Sequence, residues 1–523
     1  MIRLASSEMS EARGDEYALD SDAVRISSYE DVVRLMEGSV QAPNNKAGRQ
    51  AKRSLAVVMT IALGGVFVDA YDFTSLGIGV IQLKSQFALS ALQVGWLSAA
   101  MAVSTVFGAM FGGYFVDKLG RRPMFLIDLY LFVVSAVGAA FAPSLWVLVF
   151  FRLMMGLGVG LDFPVALSFV AELARRSRRG RSVNVSYINW YVAAIVGFGA
   201  SYIGLKLGAG HNLWRIAVGL GAVPAAVILV LRYLYLQESP LWAARHGDLN
   251  AAAQVIKRVR GLPVLAERDP QGQGAGEGVG STSVRAFRMS FSRTARILFS
   301  PPYRRRSILV AVIGIAQSIE YYAVIFYLPV ISQLLFGASL VRAILGGMLF
   351  SVVGLTAAVL QALVCDRTGI RPLAAIGAVL ALSGLAGMSA LHSTGVVAVE
   401  AVMVSVFIFG HALGPGPQVM AYGTLSYPTA IRASGVGWTQ GILRVGSVVG
   451  FVLFPVAMHL LGFTRTFGML AVAPATILVA LWVVKWEPVG VDIEAEGLNL
   501  LGPPGASPET SDIAAPFATA IEA

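Results

Sequence analysis

Six charged side chains stand out among those inside the long apolar stretches of the 523-residue chain: Asp69, Asp72, Arg152, Asp162, Glu320 and Arg444. A charge held at low dielectric is costly, so such residues mark a path or a site for protons, ions or polar solutes. Asp69 and Asp72, in Val68-Asp-Ala-Tyr-Asp-Phe73, are three apart and fall on nearly one helix face. A guanidinium beside a carboxylate keeps it ionised, and separating the two lets the carboxylate take a proton. That is the chemistry of a proton switch. Asp72 with Arg152 is the candidate pair, and Asp162 and Asp69 are the further acids. The alternative is a static ion pair that holds helices together. An arginine also presents a planar fork that matches a carboxylate, which makes Arg444 the candidate anion-binding residue. Its alternative is pairing with Glu320 or another acid. Gln317, Tyr321 and Tyr322 beside Glu320, with Asn189, His411 and Gln418, complete the candidate solute contacts. His411 titrates near neutrality and is equally placed as a proton relay or as a plain interhelical bond.

The elements that must position these groups are apolar helices. The chain is 56% hydrophobic and only 13% charged, against about 25% charged for soluble domains, and its mean hydropathy is +0.70. This excludes an ordinary soluble enzyme or nucleic-acid binder. A bilayer crossing needs about 20 apolar residues. Twelve stretches qualify, at 54–78, 92–116, 122–142, 145–170, 183–207, 214–236, 307–336, 340–365, 372–392, 397–424, 434–458 and 463–485. The predicted fold is an all-α integral membrane protein with two six-helix bundles. The bundles span 54–236 and 307–485, joined by a loop at 237–306 and flanked by tails at 1–53 and 486–523. The loop opens amphipathic and turns Gly-rich at 269–280. That run and the proline-bearing C-terminal tail are expected to be disordered. The single cysteine, Cys365, allows no internal disulfide.

Lys and Arg decide orientation. The N-terminal tail carries eight and the 6–7 loop twelve, while Lys118, Arg121 and Arg122 mark the 2–3 loop and Arg175 to Arg181 the 4–5 loop. Both termini are therefore expected to be cytoplasmic, in a plasma membrane (the inner membrane of a bacterium). The basic surplus is expected to rest on anionic lipid and not on nucleic acid. At matching depths, about six and seven residues from the outer ends of their spans, Asp72 and Arg152 are predicted to meet.

The two halves repeat. Residues 112–124 read GGYFVDKLGRRPM and residues 361–373 read QALVCDRTGIRPL, with Asp117 matching Asp366, Lys118 Arg367, Gly120 Gly369, Arg122 Arg371 and Pro123 Pro372, each offset by 249. Duplicated parallel six-helix halves place a solute site at the midplane between them. The run from Gly113 to Arg122 resembles the loop signature of the major facilitator superfamily, and the resemblance covers 54–485. It implies a conformational latch made by Gly113, Asp117, Gly120, Arg121, Arg122, Glu172 and Arg179, with Asp366, Arg367, Arg371 and Arg432 in the second half. Ile370 replaces one arginine of the second copy, and Leu425 stands where an acidic partner of Arg432 is expected.

Arg152-x-x-x-Gly156, Trp214-Arg215 and Glu238-Ser-Pro resemble the sugar-porter branch, which implies proton coupling at Asp72 and Arg152. Gly160-Leu-Asp-Phe-Pro164 resembles proton–phosphate symporters and niacin-permease-like carriers, and an arginine at the place of Arg444 resembles the latter. Tyr322 stands where sugar porters carry an asparagine, which trades polar surface for an aromatic ring. Pro415 and Pro417 are expected to break the tenth span. Asp128 is expected to join the latch, and Glu400 to face water. No nucleotide loop, metal cluster or catalytic triad spacing stands out, so no enzyme activity, cofactor or metal is expected. With no ATP-binding domain, the energy source is a gradient. The reading is a monomeric, proton-coupled symporter of a small organic solute, a carboxylate first. A sugar or phosphate importer is the alternative, with drug–proton antiport or sensing behind it.

Overall fold

The computed structural model describes residues 23–37, 46–175, 178–267, 290–337 and 339–493. The Gly-rich run at 269–280 and the tail after 493 lie outside them. Eleven helical runs are long and apolar enough to cross a bilayer, and one of them, Arg432–Val483, is 52 residues long. At about 1.5 Å per residue that run is twice the length a crossing needs. It turns back at Gly462, whose φ of 73° is a left-handed conformation that only glycine takes cheaply. Counted as two, it gives twelve spans in two bundles of six.

The first bundle begins with α2 (Lys46–Ala62) and α3 (Gly64–Gln86), which together make span 1. It continues with α4 (Ala91–Leu119), α5 (Arg121–Ala140), α6 (Leu145–Leu173), α7 (Arg179–Lys206), and the pair α8 (Leu213–Leu220) and α9 (Ala222–Tyr235). The second comprises α13 (Pro301–Val324) with α14 (Leu328–Phe336), α15 (Leu340–Thr368), α16 (Ile370–Leu391), α17 (Val397–Leu413) with α18 (Pro415–Leu425), α19 (Arg432–Leu470) and α20 (Val472–Val483). Several breaks have a local cause. Span 1 lapses at Leu63, before the poor helix formers Gly64 and Gly65. Span 10 lapses at Gly414, where the ladder ends before Pro415 and Pro417.

Between the bundles lie α10 (Pro240–Arg245), α11 (Leu249–Arg260), β2 (Val264–Ala266) and α12 (Phe291–Leu298). The N-terminal segment, expected as a plain polar tail, is partly folded against them. Strand β1 (Val24–Ile26) pairs in parallel with β2, and α1 (Tyr29–Glu37) packs on α10 and α11. Ile26, Val32 and Met36 are fully buried there. Arg260 donates to the Met36 carbonyl at 2.6 Å. Burial, with Arg175 and Arg179 nearby, lowers the Arg260 guanidinium to about 10. We call this end of the molecule the basic end and the opposite one the far end.

The halves meet along two seams, α4 against α19 and α7 against α15. Both are lined by glycine. A Cβ on Gly437 would meet the carbonyl of Ala109 at 2.5 Å, and one on Gly113 the carbonyl of Ala433 at 2.5 Å. On the other seam, Gly347 and Gly354 of α15 make room for the rings of Phe198 and Tyr191. Side chains facing away from the seams are apolar and exposed, Phe107, Trp146, Leu207 and Trp482 among them, as a lipid-facing surface requires.

Gly437→Leu should force the first seam apart and cost about 1–3 kcal/mol, seen as a lower thermal midpoint of the purified protein. Gly199→Leu, where a Cβ meets nothing within 4 Å, should leave the midpoint unchanged.

Candidate functional site

Span 1 carries two carboxylates into the middle of the molecule, one for each half. Asp72 accepts from Arg152 Nη1 of α6, within its own bundle, and both are fully buried. Asp69 accepts from Arg444 Nη2 of α19 at 2.8 Å, across the interface between bundles. The depth argument thus brings Asp72 and Arg152 together. For Arg444 the partner is Asp69 and not Glu320. The same guanidinium donates to the Tyr322 hydroxyl at 2.5 Å and lies 5.2 Å from the Phe73 ring.

Beside this pair is a small cavity lined by Phe73, Trp190, Tyr191, Tyr321, Tyr322 and Phe326. It has room for about one water molecule, about 20 Å³. Trp190 Nε1 donates to the Tyr321 hydroxyl at 2.5 Å, which joins α7 to α13 over the cavity. The halves touch on both sides of it. At the far end Tyr327 donates to the Ser98 hydroxyl at 3.4 Å, and a Cβ on Gly77 would meet the Phe326 carbonyl at 2.6 Å.

The remaining candidates divide. Tyr321 and Tyr322 line the cavity. Glu320 and His411, both fully buried, are joined at 3.1 Å, and Tyr187 of α7 meets the other imidazole nitrogen at 3.0 Å. Gln317 bonds to Ser318 at 2.7 Å and Gln418 to Asn184 at 3.1 Å and Gln361 at 3.2 Å. Asn189 reaches the Leu63 carbonyl at the break in span 1, at 3.4 Å. None of these five lines the cavity.

The duplicated loop makes two matching joints at the basic end. Gly120 and Gly369 have φ of 101° and 91°, which ends one helix and starts the next. Asp117 accepts from the backbone N–H and hydroxyl of Ser434 at 2.9 and 2.7 Å, tying α4 to the start of α19 in the other half. Arg121 holds Asp117 at 3.3 Å and Glu172 at 2.7 Å. In the second copy Asp366 accepts from the Arg181 N–H at 3.0 Å, at the start of α7. Glu238 caps α5 through the N–H groups of Arg121 and Arg122, at 2.8 and 3.1 Å, and Glu487 caps α16 through that of Arg371, at 2.8 Å. Those two glutamates are also 249 residues apart. Glu487 was missed because the repeat was read over one loop only. Extending the same offset finds it. Arg179 bonds to the Ala171 carbonyl at 3.0 Å, and Arg432 to the Thr429 hydroxyl at 2.8 Å, with Leu425 leaving no acid at that position.

Two expectations fail. Asp128 does not join the latch. It meets Arg232 of α9 at 2.9 Å, and Arg232 also holds Asp162 at 2.6 Å. Glu400 does not face water but is buried and bonds to His392 at 2.8 Å. Arg232 itself was overlooked, hidden in an apolar run that ends at the basic rim. The signal was arithmetic: five acids within the spans (Asp69, Asp72, Asp128, Asp162, Glu320) against two recognised arginines.

The family model described as "Sugar (and other) transporter" matches residues 47–494. The chain is 29% identical to YaaU of Escherichia coli (strain K12) over 408 residues, which is 78% of this chain and 86% of that protein. It is 24% identical to the niacin transporter NiaP of Acinetobacter baylyi over 460 residues, 84% of this chain and 96% of that one. The solved structure of the proton:xylose symporter XylE bound to 6-bromo-6-deoxy-D-glucose superposes with a TM-score of 0.70 at 20% identity, covering 85% of this chain and 99% of XylE.

Asp117→Ala removes a charged acceptor from three donors, two on Ser434 and one on Arg121, and should cost about 1.5–3 kcal/mol of stability. Ser434→Ala keeps the backbone donor and should cost about 0.5–1.5 kcal/mol. Thermal midpoints of the two variants in detergent would show this order, and the reverse order would contradict the joint described above.

Proposed function

The chain belongs to the sugar (and other) transporter family of the major facilitator superfamily, and on that premise we propose that it is a proton-coupled symporter of a small aromatic carboxylate. It is a multi-pass secondary transporter, and alternating access of its two bundles is the route. The basic end is taken as the cytoplasmic one, since Lys and Arg concentrate there.

One observation carries the substrate reading. Arg444 is buried behind Phe73 and Tyr322, two rings of the cavity wall, and is held by Asp69, a carboxylate from the other half. A substrate carboxylate fits the same guanidinium fork. When Asp69 takes a proton it releases Arg444, and the incoming carboxylate replaces it, so anion and proton enter together. Phe73, Tyr321, Tyr322 and Trp190 offer rings for an aromatic body. Glu320 and His411, a shell behind Tyr321, tune that wall. At Asp72, protonation frees Arg152 and loosens α3 from α6, which lets span 1 move with the loaded site.

A second reading is proton-coupled transport of a monosaccharide. Its support is the family itself, whose relatives include a galactose-proton symporter of Escherichia coli. The buried cation Arg444 weighs against it, since an uncharged sugar offers that guanidinium no counter-charge in place of Asp69.

Uptake into cells should be measured over aromatic acids, aliphatic acids, monosaccharides and phosphate. Aromatic acids are expected to accumulate, and collapse of the pH gradient should end accumulation. Arg444→Gln should lower apparent affinity for the acid at least tenfold. Asp72→Asn should lose accumulation while keeping exchange. Uptake confined to monosaccharides, or unchanged affinity in Arg444→Gln, would refute the carboxylate reading.

A further inference from the structure

Arg232 joins three spans at one point. Its Nη1 donates to both oxygens of Asp128 on α5, at 3.1 and 2.9 Å, and to the Phe125 carbonyl at 3.3 Å. Its Nη2 donates to Asp162 Oδ1 on α6 at 2.6 Å and to the Ala62 carbonyl at 2.7 Å, and its Nε reaches the Ile61 carbonyl at 3.4 Å. A guanidinium has five N–H groups, and these contacts use them all. Asp162 Oδ2 is left without a partner, although the residue is only 4% exposed.

Two carboxylates therefore share one cation inside the bundle, one on each of its terminal nitrogens. Like charges so placed do not both stay ionised in a low-dielectric site; one proton between them restores balance. Among the described residues, no second cation is bonded to either carboxylate. The break between α2 and α3 offers carbonyl groups, α7 offers the neutral Asn189, and the charged group next along α3 is Asp69, itself negative and matched by Arg444. The pair Asp72–Arg152 is already balanced.

We propose that Asp128 and Asp162 form a proton-binding dyad over Arg232, holding one proton between them as a site separate from Asp72. The proposal deepens the proton-coupling reading above and rests on it for its role in transport. The reaction is a simple protonation: a proton from water converts one carboxylate to a carboxylic acid, which donates to the other.

The dyad is set on the hinge of span 1. Where the helix lapses at Leu63, the carbonyl groups of Ile61 and Ala62 are held by Arg232 and that of Leu63 by Asn189. A Cβ on Gly65, in the first turn of α3, would collide with the Asp162 carboxylate. Gly65 lies one turn, about 6 Å, before Asp69. With the proton bound, Arg232 is matched by one negative charge and the hinge is held. With the proton gone, an extra negative charge stands one turn from Asp69 and weakens the seating of α3. The dyad thus acts on the helix that carries both other acids.

The test needs no solute. The full-length protein in lipid nanodiscs is titrated with protons across neutrality and followed by infrared difference spectroscopy. A protonated-carboxyl C=O band is expected, lost in Asp162→Asn and in Asp128→Asn and kept in Asp72→Asn. Absence of the band in the natural protein, or its persistence in both dyad variants, overturns the proposal. Should the asparagine variants fail to fold, Asp162→Glu decides: the band must shift, and an unshifted band belongs to another carboxyl. Since the uptake panel is a separate measurement, failure of the carboxylate reading and failure of the dyad are told apart.

Discussion

A guanidinium buried between two moving halves needs an anion on the other side, and the arrangement of this protein follows from that need. Arg444 belongs to the second bundle and its carboxylate, Asp69, to the first. Leaving either one alone in the interior would cost about 3–5 kcal/mol. The pair therefore acts as the central fastening of the closed molecule. It can be undone cheaply only by a proton on the aspartate or by another anion on the arginine. The proposed symport of an anion with a proton would use that chemistry, and the interaction sits where the two halves meet.

Around that fastening the seams are built from residues without bulk. Glycines on α4, α15 and α19 let backbone approach backbone or ring, so the halves fit closely yet share few fixed bonds. The polar joints sit at the basic end, where Asp117 and Asp366 each accept from the first turn of a helix in the opposite half. These are bonds to helix N-termini, favourable for a carboxylate. The folded N-terminal segment and the loop helices add a further tie there: Arg245 of α10 reaches the Ala430 carbonyl at 3.0 Å.

Much of this was legible in the chain. The count of spans follows from apolar length, and the break at Gly414 from two prolines. The paired joints at the basic end follow from a motif repeated at 249 residues. The meeting of Asp72 and Arg152 follows from depth alone, because each lies a similar distance from the same membrane surface. Other groups were not legible for the same physical reason. Asp128 has the depth of a latch residue, but its side chain faces α9, and depth says nothing of azimuth. Glu320 and Arg444 were both read as midplane residues, and only the rotation of their helices sends one to His411 and the other to Asp69. The fold of residues 24–37 on the loop was hidden because a three-residue strand carries no period of its own.

By itself, then, the sequence determined that this is a twelve-span duplicated membrane protein and which few charges must be justified inside it. Those are properties of length, hydropathy and spacing along one chain. Only the tertiary structure decided which charge meets which. The partners Asp69 and Arg444 are 375 residues apart, and what brings them together is the rotation of each helix about its axis, set by how glycine-lined faces pack. No local pattern encodes that angle, and the same packing gives Arg232 two carboxylates where a count of charges along the chain shows only that the acids outnumber their arginines.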